Sequence, residues 1–223
     1  MNTDSAGVLR ATVPGRGDDD VPGLPLVTFG PRGRPESIYG VGLWVFIGVA
    51  TTLFTLFITA YVMRMSEADA VAIAMPMQVW VSSSYLVVGS LLMQLAAMAA
   101  HRRHVDRARL LFWAGGGCAV AFLVAQWWSW SALMGQQVTP TGNPGGSFFY
   151  MLSAMHGLHV MGGLVAWSLV ARAAQRAYEP HEPAWRMTLV ARYWHFLLAV
   201  WLVLFACFTW ITPDVARAIC RTP

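Results

Sequence analysis

Five long apolar stretches dominate the pattern of hydrophobic and polar positions along the chain. They cover 39–63, 79–100, 110–130, 149–171 and 190–210. A helix needs about 20 mostly apolar residues to cross the hydrocarbon core of a bilayer, and each stretch is long enough. Strands of a membrane barrel would instead be short segments of alternating polarity. The pattern therefore predicts an all-α integral membrane bundle of five transmembrane helices.

The arginines give this bundle a direction. Five spans place the two termini on opposite sides of the membrane, and the N-terminal side, with loops 101–109 and 172–189, carries most of the arginines. The other side holds only Arg64, Arg217 and Arg221. Because basic residues collect in cytoplasmic loops, we predict the N-terminus inside and the C-terminus outside.

The segments at the two ends of the chain differ from the apolar spans. Residues 1–38 are rich in proline and glycine and have no apolar core segment, so they do not resemble a signal peptide. Such a composition buries too little apolar surface to order itself, which predicts a flexible cytosolic arm. We expect the five-helix transmembrane domain over 39–212 and a short periplasmic tail over 213–223.

Composition and charge exclude several classes of function. The chain of 223 residues is 57% hydrophobic and only 12% charged, which fits the membrane class. Its net charge of +4 comes without a basic patch interleaved with aromatics, so nucleic-acid binding is not expected. The three cysteines form no CxxC pair, which argues against a zinc knuckle or an attached haem. No aspartate or glutamate lies within an apolar stretch, which makes a small transporter or channel the least favoured reading.

The fourth stretch carries the most informative residues. His156 and His159 are three positions apart, so they share one face of a helix. Imidazoles are costly in hydrocarbon without a partner, so this face should point into protein. Gly157 and Gly163 on the same helix would let another backbone approach closely.

A third histidine, His195, lies near the start of the fifth stretch. From the helical rise, His156 should lie ~10 Å below the outer edge of the hydrocarbon core and His195 ~7 Å from its inner edge. In a core ~30 Å thick, this leaves ~10 Å of depth between the two histidines. One metal ion cannot bridge that separation without strong helix tilt. We therefore expect hydrogen bonds to neighbouring helices, a lipid headgroup or another subunit, and no bound metal. A b-type cytochrome membrane anchor with these histidines as axial ligands stays open as an alternative.

Three segments of the chain resemble subunit III of haem-copper oxidases. The segment 148–163 is similar to the penultimate helix of that family, and 39–210 follows the family in order and spacing. The fifth stretch resembles the family's last helix, and the first resembles the start of its five-helix form. The motifs are Phe148-Phe149-Tyr150, His156-Gly157-Leu158-His159-Val160, Tyr193-Trp194-His195-Phe196, Val200-Trp201-Leu202 and Gly42-Leu43-Trp44-Val45-Phe46.

The resemblance implies a cofactor-free accessory subunit with no catalytic centre of its own, in a bacterial inner membrane. Such a subunit packs beside subunit I, with haem and copper in partner subunits. It binds phospholipid in a cleft, and it supports proton uptake and oxygen access during aerobic electron transport. The residues implied to line that cleft or brace its helices are Trp44, His156, Gly157, His159, Gly163, Trp194, His195 and Trp201.

Two positions depart from the family pattern. Family members often carry an acidic residue in the first helix and another three positions after the last histidine, where this chain has Ala50 and Leu198. Their absence argues against direct proton handling. It also keeps open a subunit III-like component of a quinol oxidase or of a nitric oxide reductase complex.

Overall fold

The computed structural model describes residues 35–67, 77–138, 144–176 and 182–220. Within these ranges the chain forms helices and connecting turns, with no strand. The helices are α1 Pro35–Met65, α2 Met77–His101, α3 Val105–Gly135, α4 Pro144–Arg176, α5 Glu182–Trp210 and α6 Pro213–Cys220.

Five of these helices are long and apolar enough to cross a membrane, which confirms the predicted spans. Each is longer than its apolar stretch, and α5 begins at Glu182, eight residues before the predicted start. The helices continue past the hydrocarbon thickness into the polar zone, where charged residues cost little, so hydropathy alone does not mark their ends. The direction of the termini stays a prediction.

The structure adds helical residues at both ends of the predicted transmembrane domain. Of the predicted arm 1–38, residues 1–34 lie outside the described residues, and 35–38 form the first turn of α1. The predicted tail 213–223 contains α6, which begins at Pro213, where a fixed φ favours helix initiation. Arg217 and Asp214 form an ion pair of 2.8 Å on this helix. With only eight residues, α6 leaves no long apolar run in the sequence.

Helices α2 to α5 pack as a bundle, and α1 lies against α4 and α5. The closest pairing is α2 with α3, where a Cβ atom on Gly89 would lie 3.4 Å from the carbonyl oxygen of Gly115. Small residues let transmembrane backbones approach in this way, and dispersion contacts then hold the helices together. Helix α5 contacts α1, α2 and α4, so its side chains connect both sides of the bundle.

Candidate functional site

His156 lies at the centre of the bundle, with no exposed surface. Its ring is enclosed by aromatic side chains from three other helices. The ring centroid lies 5.1 Å from that of Trp201, 5.7 Å from Phe122 and 6.4 Å from Phe54. The Phe122 ring stands nearly perpendicular to the imidazole, an arrangement that aromatic pairs favour.

Neither ring nitrogen of His156 has a hydrogen-bond partner among the described residues. An imidazole carries at least one N–H donor, and a buried donor without a partner is unfavourable. The site therefore holds a polar group in an apolar enclosure built by α1, α3 and α5. The sequence correctly indicated that this helix face points into protein.

His159, one turn further along α4, faces α1. Its Nδ1 lies 2.8 Å from the carbonyl oxygen of Met155 in its own helix. Its ring packs beside Phe46 and Phe54 at centroid distances of 5.9 and 5.3 Å. Phe54 thus contacts both histidines, and the shared face predicted from their spacing meets α1.

Gly163 is where α4 and α5 approach most tightly at this site. A Cβ atom on Gly163 would lie 2.7 Å from the Trp194 ring and 2.9 Å from that of Tyr193. The Tyr193 hydroxyl donates to the carbonyl oxygen of His159 at 2.9 Å, which joins the same two helices. Gly157 is less constrained, since a Cβ there would meet only Leu123, at 3.8 Å.

His195 points away from the other two histidines and bridges α5 to α2. Its Nδ1 lies 2.6 Å from Ser90 Oγ, and its Nε2 lies 3.1 Å from Oε1 of Gln94. Because a carbonyl oxygen only accepts, Nε2 carries the proton and Nδ1 accepts from the serine hydroxyl. Both ring nitrogens are therefore engaged by protein.

This bridge belongs to a polar seam along α2 and α5. Two further hydrogen bonds complete it, from Trp201 Nε1 to Ser83 Oγ at 2.9 Å and between His101 Nε2 and Thr188 Oγ1 at 3.0 Å. The sequence carries a signal for this seam. The α2 partners recur at spacings of seven, four and seven residues, which places them along one face of the helix, at Ser83, Ser90, Gln94 and His101.

The depths of the histidines agree with the sequence estimate. His156 lies beside Trp201, and Trp201 is six residues from His195, which is ~9 Å along the helix axis. The expected separation is ~10 Å. Among the described residues, no group of three His, Cys, Asp or Glu side chains is arranged to hold a metal ion.

A groove of about 620 Å³ lies between α1, α4 and α5. Tyr39, Trp185 and Arg186 line one end, where the Tyr39 and Trp185 rings stack at 5.8 Å and the Arg186 guanidinium carbon lies 5.3 Å from the Trp185 ring. The remaining lining is apolar except for Tyr193, at Leu43, Phe46, Gly162, Ala166, Leu169, Val170, Leu189 and Val190.

None of the eight residues predicted to line a lipid cleft or brace its helices lines this groove. Seven of them lie in the helix contacts described above, and Trp44 is exposed on α1, with 64% of its surface accessible. Their predicted roles stay predictions. The apolar pattern does not reveal the groove, although Trp185, Arg186 and Tyr39 have the composition of a membrane-interface anchor.

The two positions that depart from the family pattern have apolar surroundings. Ala50 is buried, with 2% exposure, and Leu198 is half-buried and packs against the apolar core. Neither position offers a group that could carry a proton.

The chain is similar to several bacterial proteins. It is 31% identical over 121 residues to a "Probable cytochrome c oxidase subunit 3" of Mycobacterium tuberculosis, covering 54% of this chain and 59% of that relative. It is 29% identical over 188 residues to "Cytochrome c oxidase subunit 3" of Synechocystis, covering 79% of this chain and 76% of the relative. It is also 29% identical over 175 residues to the Bacillus subtilis protein of the same name, covering 74% of this chain and 82% of that relative.

The coverage differs between these relatives. The matched region spans about three fifths of the length of the mycobacterial proteins and about four fifths of the Bacillus protein. No protein-family model matches the chain.

Proposed function

Because the chain is homologous to bacterial cytochrome c oxidase subunit 3 and so belongs to the subunit III family of haem-copper oxidases, we propose that it is an accessory subunit of a respiratory terminal oxidase. In this role it binds no haem or copper itself, and it stabilises the catalytic subunit I in a bacterial inner membrane. The observation that carries the proposal is the similarity over three quarters or more of both chains to the Synechocystis protein.

The packing of α4 and α5 supports a structural role for the predicted site residues. His156, Trp201, Gly163 and Trp194 are in contact with neighbouring helices through rings or close backbone approach. His195 uses both ring nitrogens to join α5 to α2. Residues engaged in this way hold the helices in register, which is what a scaffold for a neighbouring subunit requires.

The groove between α1, α4 and α5 is the part of this chain that best fits a phospholipid. Its apolar wall suits an acyl chain, and Arg186 beside Trp185 and Tyr39 suits a phosphate headgroup at the interface. From Trp185 to Tyr193 the groove follows α5 for ~12 Å, which is part of one bilayer leaflet. We place the structural lipid here, while seven of the eight predicted residues, all but the exposed Trp44, brace the helices behind it.

A filled groove tests this lipid assignment. Gly162 lines the groove, and a Cβ atom there would meet nothing within 4 Å, so Gly162→Leu adds bulk without an internal clash. The matched control is Gly117→Leu, at an exposed glycine on α3 that is equally open. Native mass spectrometry should show loss of co-purified phospholipid for Gly162→Leu alone. Equal lipid content in both variants would refute the assignment.

Support of proton uptake and oxygen access is, on this proposal, indirect. Ala50 and Leu198 provide no carboxylate at membrane depth, so the chain acts by holding its neighbour and the lipid in place. We expect a complex lacking this chain to keep its initial rate of oxygen reduction and to lose activity faster during turnover. The chain's own residues take no part in electron transfer.

Purification through a tag on this chain tests the main proposal. The preparation should contain a haem-copper catalytic subunit in a fixed ratio to this chain, identified by mass spectrometry. Its absence would overturn the assignment. The electron donor that the purified complex oxidises, cytochrome c or quinol, then separates a cytochrome c oxidase from a quinol oxidase. Nitric oxide reduction would point to the third alternative.

A b-type cytochrome anchor is the second candidate, because the chain has buried histidines. Two observations count against it. Both nitrogens of His195 are already bonded to protein, and His156 is enclosed by three aromatic rings that leave no room for a porphyrin. A Soret band in the isolated chain that disappears in His195→Ala would favour the anchor.

A further inference from the structure

The outer surface formed by α2 and α5 carries polar groups that the described part of the chain does not satisfy. Gln94 is exposed, and its Oε1 accepts from His195. Its amide N–H groups, however, have no acceptor among the described residues. Arg192 is also exposed, and it forms no hydrogen bond or ion pair with any described residue.

Gln94 lies within the candidate span Met77–His101, and Arg192 lies one helical turn before His195, the residue that bonds Gln94. Gln94 is seven residues before the end of α2 at His101, which is ~10 Å along the axis. Arg192 precedes His195 by three positions, so both side chains lie on one face of α5. The bond between His195 and Gln94 joins that face to α2.

Hydrocarbon offers no acceptor to such donors. An amide or guanidinium facing acyl chains is unfavourable, and polar residues within spans usually face protein or a water-filled space. The long Arg192 side chain can extend toward a headgroup, but the short Gln94 side chain cannot. Gln94 is therefore the residue that indicates whether this surface faces a protein neighbour or lipid.

The apolar surroundings of Gln94 fit a helix rather than a soluble partner. Leu91 and Met98 flank it on α2, with 57% and 40% of their surfaces exposed. Ala199, four positions after His195 on α5, is exposed and small, so a neighbouring backbone can approach there. A single polar residue within such an apolar stripe also fixes the register of a packed helix.

We propose that Leu91, Gln94 and Met98 of α2 form, with Arg192, His195 and Ala199 of α5, a docking face for a transmembrane helix of a neighbouring subunit. Because this face presents donors and a positive charge, the partner helix carries a carboxylate or another hydrogen-bond acceptor opposite Gln94. The inference rests on the proposed function in one respect, namely that the chain works inside a membrane complex.

Photo-cross-linking in the assembled complex tests this face. A photoreactive amino acid replaces Leu91, and the control position is Val124, which is 65% exposed on α3. We expect position 91, and not position 124, to yield an adduct with a membrane-spanning subunit that co-purifies in a fixed ratio. Gln94→Leu should lower the adduct yield about five- to thirtyfold, the effect of losing one interhelical hydrogen bond of 1–2 kcal/mol.

Ser90→Ala separates docking from internal packing. It removes a hydrogen bond on the buried side of His195 and leaves the Gln94 amide available, so the adduct yield should change less than twofold. An equal loss in Ser90→Ala and Gln94→Leu would overturn the proposal, as would an adduct at position 91 with lipid or with a second copy of this chain.

The outcomes also distinguish this face from the proposed function. If the complex contains a haem-copper catalytic subunit but position 91 yields no protein adduct, the docking face is wrong and the proposed function stands. If position 91 cross-links to a stoichiometric membrane subunit in a complex without haem and copper, the docking face stands and the proposed function fails.

Discussion

Replacing His156 by phenylalanine should not weaken the fold. The imidazole is completely buried, and neither nitrogen has a hydrogen-bond partner among the described residues. A buried polar group without a partner costs about 1–3 kcal/mol. Phenylalanine keeps an aromatic ring among Phe54, Phe122 and Trp201 and removes that cost, although its slightly larger ring offsets part of the gain. We expect the free energy of unfolding to stay within about 1 kcal/mol of the wild type or to rise.

His195→Phe is the matched control. It removes the same kind of ring from a neighbouring helix, but it breaks the hydrogen bonds to Ser90 and Gln94. Ser90 is 1% exposed, so its hydroxyl loses an interhelical partner inside the bundle. We expect a loss of about 1–2 kcal/mol, the range for interhelical hydrogen bonds in membranes.

Reversible unfolding of the purified chain by sodium dodecyl sulfate in mixed micelles, followed by circular dichroism, measures both variants. The predicted order of stability is His156→Phe at or above the wild type and His195→Phe below it. The opposite order would refute the reasoning, since it would mean that His156 has a partner that supports the fold. Comparable helicity of both variants before the titration is the control for folding.

Two further predictions concern the complex and the packing of α4 against α5. His156→Ala and His195→Ala should lower the amount of assembled complex and leave its haem absorption spectrum unchanged, and a lost haem signal would contradict the cofactor-free role. Gly163→Ala should destabilise the chain by about 1–3 kcal/mol, because its Cβ would lie 2.7 Å from the Trp194 ring. Gly162→Ala has open space around it and should not destabilise the chain. The same detergent titration measures both variants.

The sequence predicts the spans well because a single physical requirement sets them. A helix in hydrocarbon must be apolar over about 20 residues, and this leaves a pattern that any hydropathy reading detects. The requirement ends where the hydrocarbon ends. It therefore gives no information on the extra turns before Val190 in α5, or on the eight-residue α6.

The site is less accessible from sequence because helix spacing gives a face but not its neighbour. The positions of His156 and His159 indicate a common direction into protein, and the structure brings that face against α1 through Phe54. Whether a histidine ring nitrogen has a hydrogen-bond partner depends on side chains from other helices. His195 meets Ser90 more than one hundred residues away, whereas His156 meets only rings, and the residues next to each histidine in the sequence do not distinguish the two.

The groove was missed for a related reason. Its apolar lining comes from three helices, and every apolar position in a membrane protein has the same appearance in a sequence. Only Trp185, Arg186 and Tyr39 mark its end with an interfacial composition. Two of these lie before the predicted start of the fifth span, within the predicted loop 172–189.

The distribution of haem and copper between this chain and the rest of its complex tests the central claim most directly. The complex is purified through a tag on this chain, the chain is then released with detergent, and absorption spectra and metal contents are recorded for both fractions. We predict that the haem and copper remain wholly with the other subunits, in a preparation that reduces oxygen. A released chain that carries haem, or a purified complex that lacks haem and copper, would contradict the account.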